Sequence, residues 1–448
     1  MNKTVAAQPK VPGPTPRELL PRLRQLQLDP LRFLHQFSKE YGGIARIPVP
    51  FMHVYNLAEP EVVKHILQDN AKNYTKQTLQ YTNLALVAGQ GLLTSDGAFW
   101  LRQRRMIQPG FHRNRIAGFG QEMTGAAEQL VQHWKARLGQ EMDLDHEMME
   151  LTLQIVGKTL FSADLSQGAS NLVRATLTAL DFVMFRAQNP FSPDLFLPSQ
   201  RRRSFKQALH TLDSAVHQLI AERRASGPKD DLLSMLLEAR SDGGEAMSAV
   251  QLRDELITLI VAGHETVASS LTWTWYLIAT HPQVEHTLHA ELAAVLGGRT
   301  PTVEDLPLLP YTRAVVDESL RLYPPAWVIT RRAIAADQIG PYTLPAGSLV
   351  ITSPYVVHRQ GLWSEPDSFK PERFLEEGKL PRYAYIPFGG GPRLCIGNNF
   401  ALMESQLILA TLAQHYRLRL VEGRPVVPQG LVTIRPKGGL WMRVEGRK

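Results

Sequence analysis

Apolar residues recur every three to four positions over most of this chain, the repeat of helices that bury one face. Leu151, Leu153, Ile155, Val156 and Leu160 follow it, as do Leu209, Leu212, Val216 and Ile220, and the region from Gly97 to about Ala225 reads as almost entirely helical. Two runs near the start, 44–50 and 53–57, alternate as strands do and precede a helix at 61–68. The longest periodic run opens at Ser248, where Gln251 three residues on completes a capping box, and stops at His281-Pro282. Its roughly 32 residues make a helix of about 48 Å. It is apolar nearly all round, so it should cross the middle of the molecule, and its interruption, Gly263-His264-Glu265-Thr266, must be buried or line a cavity. Further on, the pattern predicts a helix at 311–322, a strand at 349–352, long irregular stretches and a last helix at 398–414. The fold class is therefore mainly α with small β-sheets.

One stretch departs from the pattern. Residues 182–198 hold Phe182, Phe185, Phe191 and Phe196 among Pro190, Pro193 and Pro198. A loop this apolar is either a lid over a greasy pocket, a patch that touches a membrane, or a loop packed on its own core.

Composition narrows the function. At 448 residues, 44% apolar and 20% charged, the chain suits a globular protein; a polar leader, 1–14, is expected before a single catalytic domain, 15–448. The start has neither the apolar core of an export signal nor a membrane anchor of about 20 apolar residues. A single cysteine excludes an intramolecular disulfide and agrees with a reducing, cytoplasmic setting. The net charge of +7 is not drawn into a basic run interleaved with aromatics; Arg201-Arg202-Arg203 is a short helix face. Nucleic acid is thus not the expected partner, whereas an acidic protein is. A monomer is expected.

The chemistry gathers around the cysteine. A lone Cys is ordinarily an apolar filler, but here the chain reads Phe388-Gly389-Gly390-Gly391-Pro392-Arg393-Leu394-Cys395-Ile396-Gly397. It lacks the Gly-Lys-Ser/Thr end of a phosphate loop, and Leu394 stands where a dinucleotide loop needs its third glycine. Glycines allow a tight turn and close approach to a flat cofactor. The start of the following helix and the Arg393 charge both favour negative sulfur.

Phe-x-x-Gly-x-Arg-x-Cys-x-Gly resembles the haem-binding signature of the cytochrome P450 family at every fixed position, and the resemblance extends from Val11-Pro12-Gly13-Pro14 to the strand-like run 438–442. It implies the P450 fold, with haem b (iron protoporphyrin IX) between the long central helix and the helix after Cys395, and Cys395 as the iron ligand beside Phe388, Arg393 and Gly397. It implies that Trp100, Arg104 and Arg331 serve the haem propionates, with Arg332 leaving the register of Arg331 open. In Ala262-Gly263-His264-Glu265-Thr266, the small Ala262 and Gly263 leave room for O2, while Glu265 and Thr266 deliver protons. Val267, in place of a second threonine, makes the pocket wall more apolar. Glu318 and Arg321, three apart on one helix, join Arg373 in a structural network. By position, Leu84, Val87, Phe182, Phe185, Ala262, Val267, Val328 and Val432 line the substrate pocket, each with core packing as its alternative. With no flavin or nicotinamide fingerprint, electrons from NAD(P)H must come through a separate ferredoxin or flavodoxin with its reductase, docking by Arg102 and Arg105. The expected activity is a monooxygenase that hydroxylates or epoxidises an apolar small molecule with O2. The alternatives are a peroxide-driven or isomerase-type relative, in which the acid–alcohol pair is commonly altered, and a haem-based gas sensor without turnover.

Overall fold

The computed structural model describes residues 9–447 apart from 167, 190–191, 196, 241–243 and 377–379. Its residues group into two compact units, each assembled from separate stretches of chain.

The first unit comprises Met1–Tyr81, Ala326–Ser368 and Gly378–Cys395. Its centre is a five-stranded sheet in the spatial order Ile44–Val49, Met52–Leu57, Leu349–Thr352, Ile329–Ala333, Tyr74–Thr75. The first two strands form an antiparallel hairpin, and Met52–Leu57 then pairs in parallel with Leu349–Thr352. The helix Pro30–Tyr41 turns Leu31, Phe33, Leu34 and Phe37 into the core.

The second unit, Thr82–Pro325 with Phe369–Glu377 and Ile396–Lys448, is mostly helical. The long helix is Ala249–Thr280, 32 residues. The predicted cap is present: Ser248 Oγ accepts the Gln251 N–H at 3.2 Å, and Gln251 Oε1 accepts the Ser248 N–H at 3.0 Å. Along it packs Leu144–Phe161, whose Val156 lies where Gly263 has no side chain; a Cβ on Gly263 would stand 2.9 Å from Val156 Cγ2. Gly263 is therefore a close helix–helix contact.

Three expectations need correction. Helix Ala169–Gln188 continues through Phe182 and Phe185, so the aromatic stretch begins as helix; Pro190, Phe191 and Phe196 lie outside the described residues. The strand-like run 438–442 starts as a turn, with Gly438 and Gly439 at φ of 82° and 86°, and the strand is Trp441–Gly446. Finally, a short strand, Glu141–Asp143, interrupts the region read as helical and pairs with Trp441–Gly446.

Candidate functional site

The cysteine sits on a strap of constrained glycines. The Cys395 N–H donates to the Phe388 carbonyl at 3.0 Å, closing the turn. Gly389 and Gly391 have φ of 72° and 63°, a region that side chains rarely tolerate. At Gly391 a Cβ would lie 1.8 Å from the Leu67 carbonyl oxygen, so the strap has no room for any other residue there. It presents Cys395 exposed, three residues ahead of the first residue of the helix Asn398–His415, with Arg393 half-buried beside it. An exposed soft thiol on a rigid backbone, next to a cation and a helix start, suits ligation of a haem iron as thiolate. The residues fit that group.

In the same unit, strand Ile329–Ala333 turns Arg331 inward and Arg332 outward. Arg331 donates to the Tyr81 hydroxyl at 2.9 Å and to the Thr330 carbonyl at 2.8 Å, which fixes its guanidinium. Val328 is half-buried, and its carbonyl accepts from Gln80.

In the second unit, helix Gly97–Ile107 carries Trp100, buried, and Arg104, half-buried, four apart on one face. The central helix is buried from Asp254 to Trp275 except at Ala262, Gly263 and Thr266. Ala262 and Thr266, one turn apart, are where the middle of the helix is open, whereas Gly263 meets Val156. Thr266 Oγ1 donates to the Ala262 carbonyl at 2.7 Å, so its oxygen is left to accept from a bound molecule.

Glu265 is placed otherwise. It is buried, and its Oε1 accepts from Thr433 Oγ1 at 2.8 Å. Burial pushes its carboxyl pKa up, against the pull of the Arg435 charge; Arg435 is itself ion-paired with Asp145. One and two turns further along the helix, Ser269 Oγ and Trp273 Nε1 both donate to the Ile434 carbonyl, at 2.7 and 2.8 Å. Glu265, Ser269 and Trp273 thus form a stripe at spacing four that clips the hairpin Pro428–Gly430/Ile434–Pro436 to the helix. Thr433 was missed from sequence. The signal was the spacing of polar groups that donate or accept, not of apolar ones.

Glu318 and Arg321 meet at 2.6 and 2.8 Å, fully buried, and Arg373 Nε reaches Glu318 Oε1 at 3.0 Å. The Lys370 N–H also donates to Glu318, at 2.9 Å. Of the pocket candidates, Leu84, Val87, Val267 and Phe182 are buried, whereas Phe185 and Val432 are half-buried. Phe182 stacks on Phe205 at 4.2 Å, and the Val87 carbonyl accepts from Arg253. Phe185 lies under the Arg201 guanidinium at 3.9 Å.

A sequence model of the family described as Cytochrome P450 matches residues 11–441. Cyclooctatin synthase of Streptomyces melanosporofaciens is 38% identical over 407 residues, covering 89% of this chain and 88% of that protein. Cyclooctat-9-en-7-ol 5-monooxygenase of the same organism is 35% identical, covering 92% and 90%. The crystal structure of CYP175A1 from Thermus thermophillus superimposes with a TM-score of 0.80 at 32% identity, covering 97% of this chain and 100% of that one.

Proposed function

Since the chain belongs to the cytochrome P450 family of haem-dependent monooxygenases acting on apolar substrates, we propose that Cys395 is its iron ligand and that a separate ferredoxin or flavodoxin, with a reductase, brings electrons from NAD(P)H. The glycine strap carries this reading, because it holds a single thiol exposed on a turn that has room for no side chain at Gly391. When bound, the haem supplies the iron centre at which O2 is reduced and one of its atoms passed to substrate.

The chain's own residues do the rest. Phe388, Arg393 and Gly397 frame the thiolate, and Arg331, locked by Tyr81, offers a fixed guanidinium to a propionate. Trp100 and Arg104 serve the propionates from their helix. Ala262 leaves space beside Thr266, whose oxygen accepts from a water and orients the proton that this water delivers. Glu265, whose burial pushes its carboxyl pKa up, holds through Thr433 the turn bearing Val432. Leu84, Val87, Phe182, Phe185, Val267, Val328 and Val432 offer hydrocarbon surface. A cyclic, largely hydrocarbon substrate, hydroxylated or epoxidised, agrees with the relative whose name carries an unsaturated ring alcohol. The hydroxyl at Thr266 favours O2 over peroxide as the oxidant.

The test is spectroscopic. Cys395→Ser should lose the red-shifted ferrous–CO absorbance that marks thiolate ligation, while the wild type shows it. A variant that keeps the band refutes the ligand.

A further inference from the structure

Threonines inside helices commonly return their hydroxyl to the carbonyl four residues back. Thr159, Thr266, Thr272 and Thr274 do so here. Thr152, buried in the helix Leu144–Phe161, does it too, but differs in also reaching a carbonyl of a second helix. Its Oγ1 lies 2.8 Å from the Met148 carbonyl oxygen and 2.9 Å from that of His264, in the central helix. A hydroxyl has one proton to give, so these two acceptors share it, and the two helices are joined through it. One turn along the same face, Val156 fills the gap left by Gly263. The His264 side chain is held as well, its Nδ1 donating to the Ile260 carbonyl at 2.6 Å. Three consecutive residues are thus fixed from outside the open face: Gly263 by Val156, His264 by Thr152, and Glu265 by Thr433. Ala262 and Thr266, which bracket them, are left facing the open side.

We propose that Thr152 is a positioning residue for the oxygen chemistry, its hydroxyl fixing the turn of the central helix that presents Thr266. A donor from a neighbouring helix draws a carbonyl outward and fixes the peptide that carries it. The peptide fixed here lies two residues before Thr266. The hydrogen bond that Thr266 offers a bound water depends steeply on angle, so a small rotation of this turn misdirects it. Thr152 touches neither substrate nor cofactor and acts only through Thr266. The proposal therefore rests on the role given to Thr266 above.

The test compares haem-loaded variants that differ at Thr152 by single groups. Thr152→Ser keeps the hydroxyl, Thr152→Ala removes it from the same smaller side chain, and Thr152→Val puts a methyl in its place. The readout is the infrared C–O stretch of the ferrous–CO form, which responds to hydrogen-bonding groups beside the bound gas and needs neither substrate nor redox partner. Thr266→Ala should shift this band. Thr152→Ala and Thr152→Val should shift it in the same direction by part of that change, and Thr152→Ser should leave it in place. Combined with Thr266→Ala, Thr152→Val should add nothing, because two residues acting through one group are not additive. A band unmoved by Thr152→Ala and Thr152→Val, while Thr266→Ala moves it, overturns the proposal and leaves the role of Thr266 standing. A shift in Thr152→Ser as large as in Thr152→Ala also overturns it, since packing would then set the turn, and so does an additive double variant. A band that Thr266→Ala leaves unmoved overturns the role of Thr266 and this proposal with it.

Discussion

At the scale of single residues, neighbours in the central helix have different duties. Thr266 faces the open part of the helix, its proton committed to the Ala262 carbonyl. Glu265, one residue earlier, is rotated by about 100° and spends its Oε1 on Thr433. Thr266→Ala deletes one hydrogen bond, a loss of about 1 kcal/mol, so the variant should fold, bind haem and bind substrate. It should still consume NAD(P)H at a similar rate but divert much of the flux to hydrogen peroxide. The ratio of product to NAD(P)H oxidised measures this. Coupling as tight as the wild type's would return Thr266 to an ordinary helix position.

At the scale of elements, the turn that precedes helix Gly97–Ile107 is anchored on two adjacent acids of the central helix. Asp254 accepts the Gln90 N–H at 2.8 Å, and Glu255 accepts the Leu92 N–H at 2.9 Å. Gly89 and Gly91 press so closely on Asp254 and Thr258 that a Cβ on either would lie 2.1 Å from a side-chain oxygen. Burial pushes the Glu255 pKa up to about 8. The folded state therefore holds this proton across neutral pH, where the unfolded chain has released it. Its contribution is fully present below about pH 4.5 and fades as pH rises through about 8. Glu255→Gln keeps an acceptor for Leu92 and removes the titration. Unfolding free energies from urea titrations between pH 5 and 8 should fall less steeply with pH in the variant, the slopes differing by up to about 1.4 kcal/mol per pH unit. Parallel curves would mean that Glu255 is ionised in the folded protein.

The central helix was legible because its signals are local: Ser248 and Gln251 cap one end and Pro282 follows the other. The strand Leu349–Thr352 and the helix after Cys395 were legible for the same reason. The strand Glu141–Asp143 was not, because three residues with two charges become a strand only by pairing with Trp441–Gly446 some 300 residues later. Helix Ala169–Gln188 outran the aromatic composition that suggested a loop, and its Phe182 stacks on Phe205, a residue 23 positions on that local composition does not reveal. At the site, Cys395 and its glycines could be read from spacing. The partner of Glu265 could not, because Thr433 is adjacent only in the folded chain.

At the scale of the whole molecule, charge and chain order matter most. Helix Gly97–Ile107 shows Arg105 exposed, while Arg102 is partly exposed and paired with Glu245 at 3.2 Å. If the proposed acidic electron donor docks on this helix, reversing both arginines to Glu should slow the first electron transfer markedly. Added salt, which screens such pairs over about 10 Å at 0.1 M, should slow the wild type but not the variant. Stopped-flow reduction at two ionic strengths decides it, and equal rates and salt responses would move the docking site elsewhere.

The parallel pairing of Met52–Leu57 with Leu349–Thr352 also sets a clock. A ribosome adding about 5–20 residues per second needs roughly 15–60 s to travel the stretch between them. Throughout that interval the hairpin has one edge with its amides and carbonyls unsatisfied, and no later strand yet exists to cover them. An unpaired edge of this kind recruits other strands, including those of neighbouring nascent chains. The newborn protein is thus most vulnerable to aggregation before its second half is made, and cooler, slower expression prolongs the exposure even as it weakens apolar association.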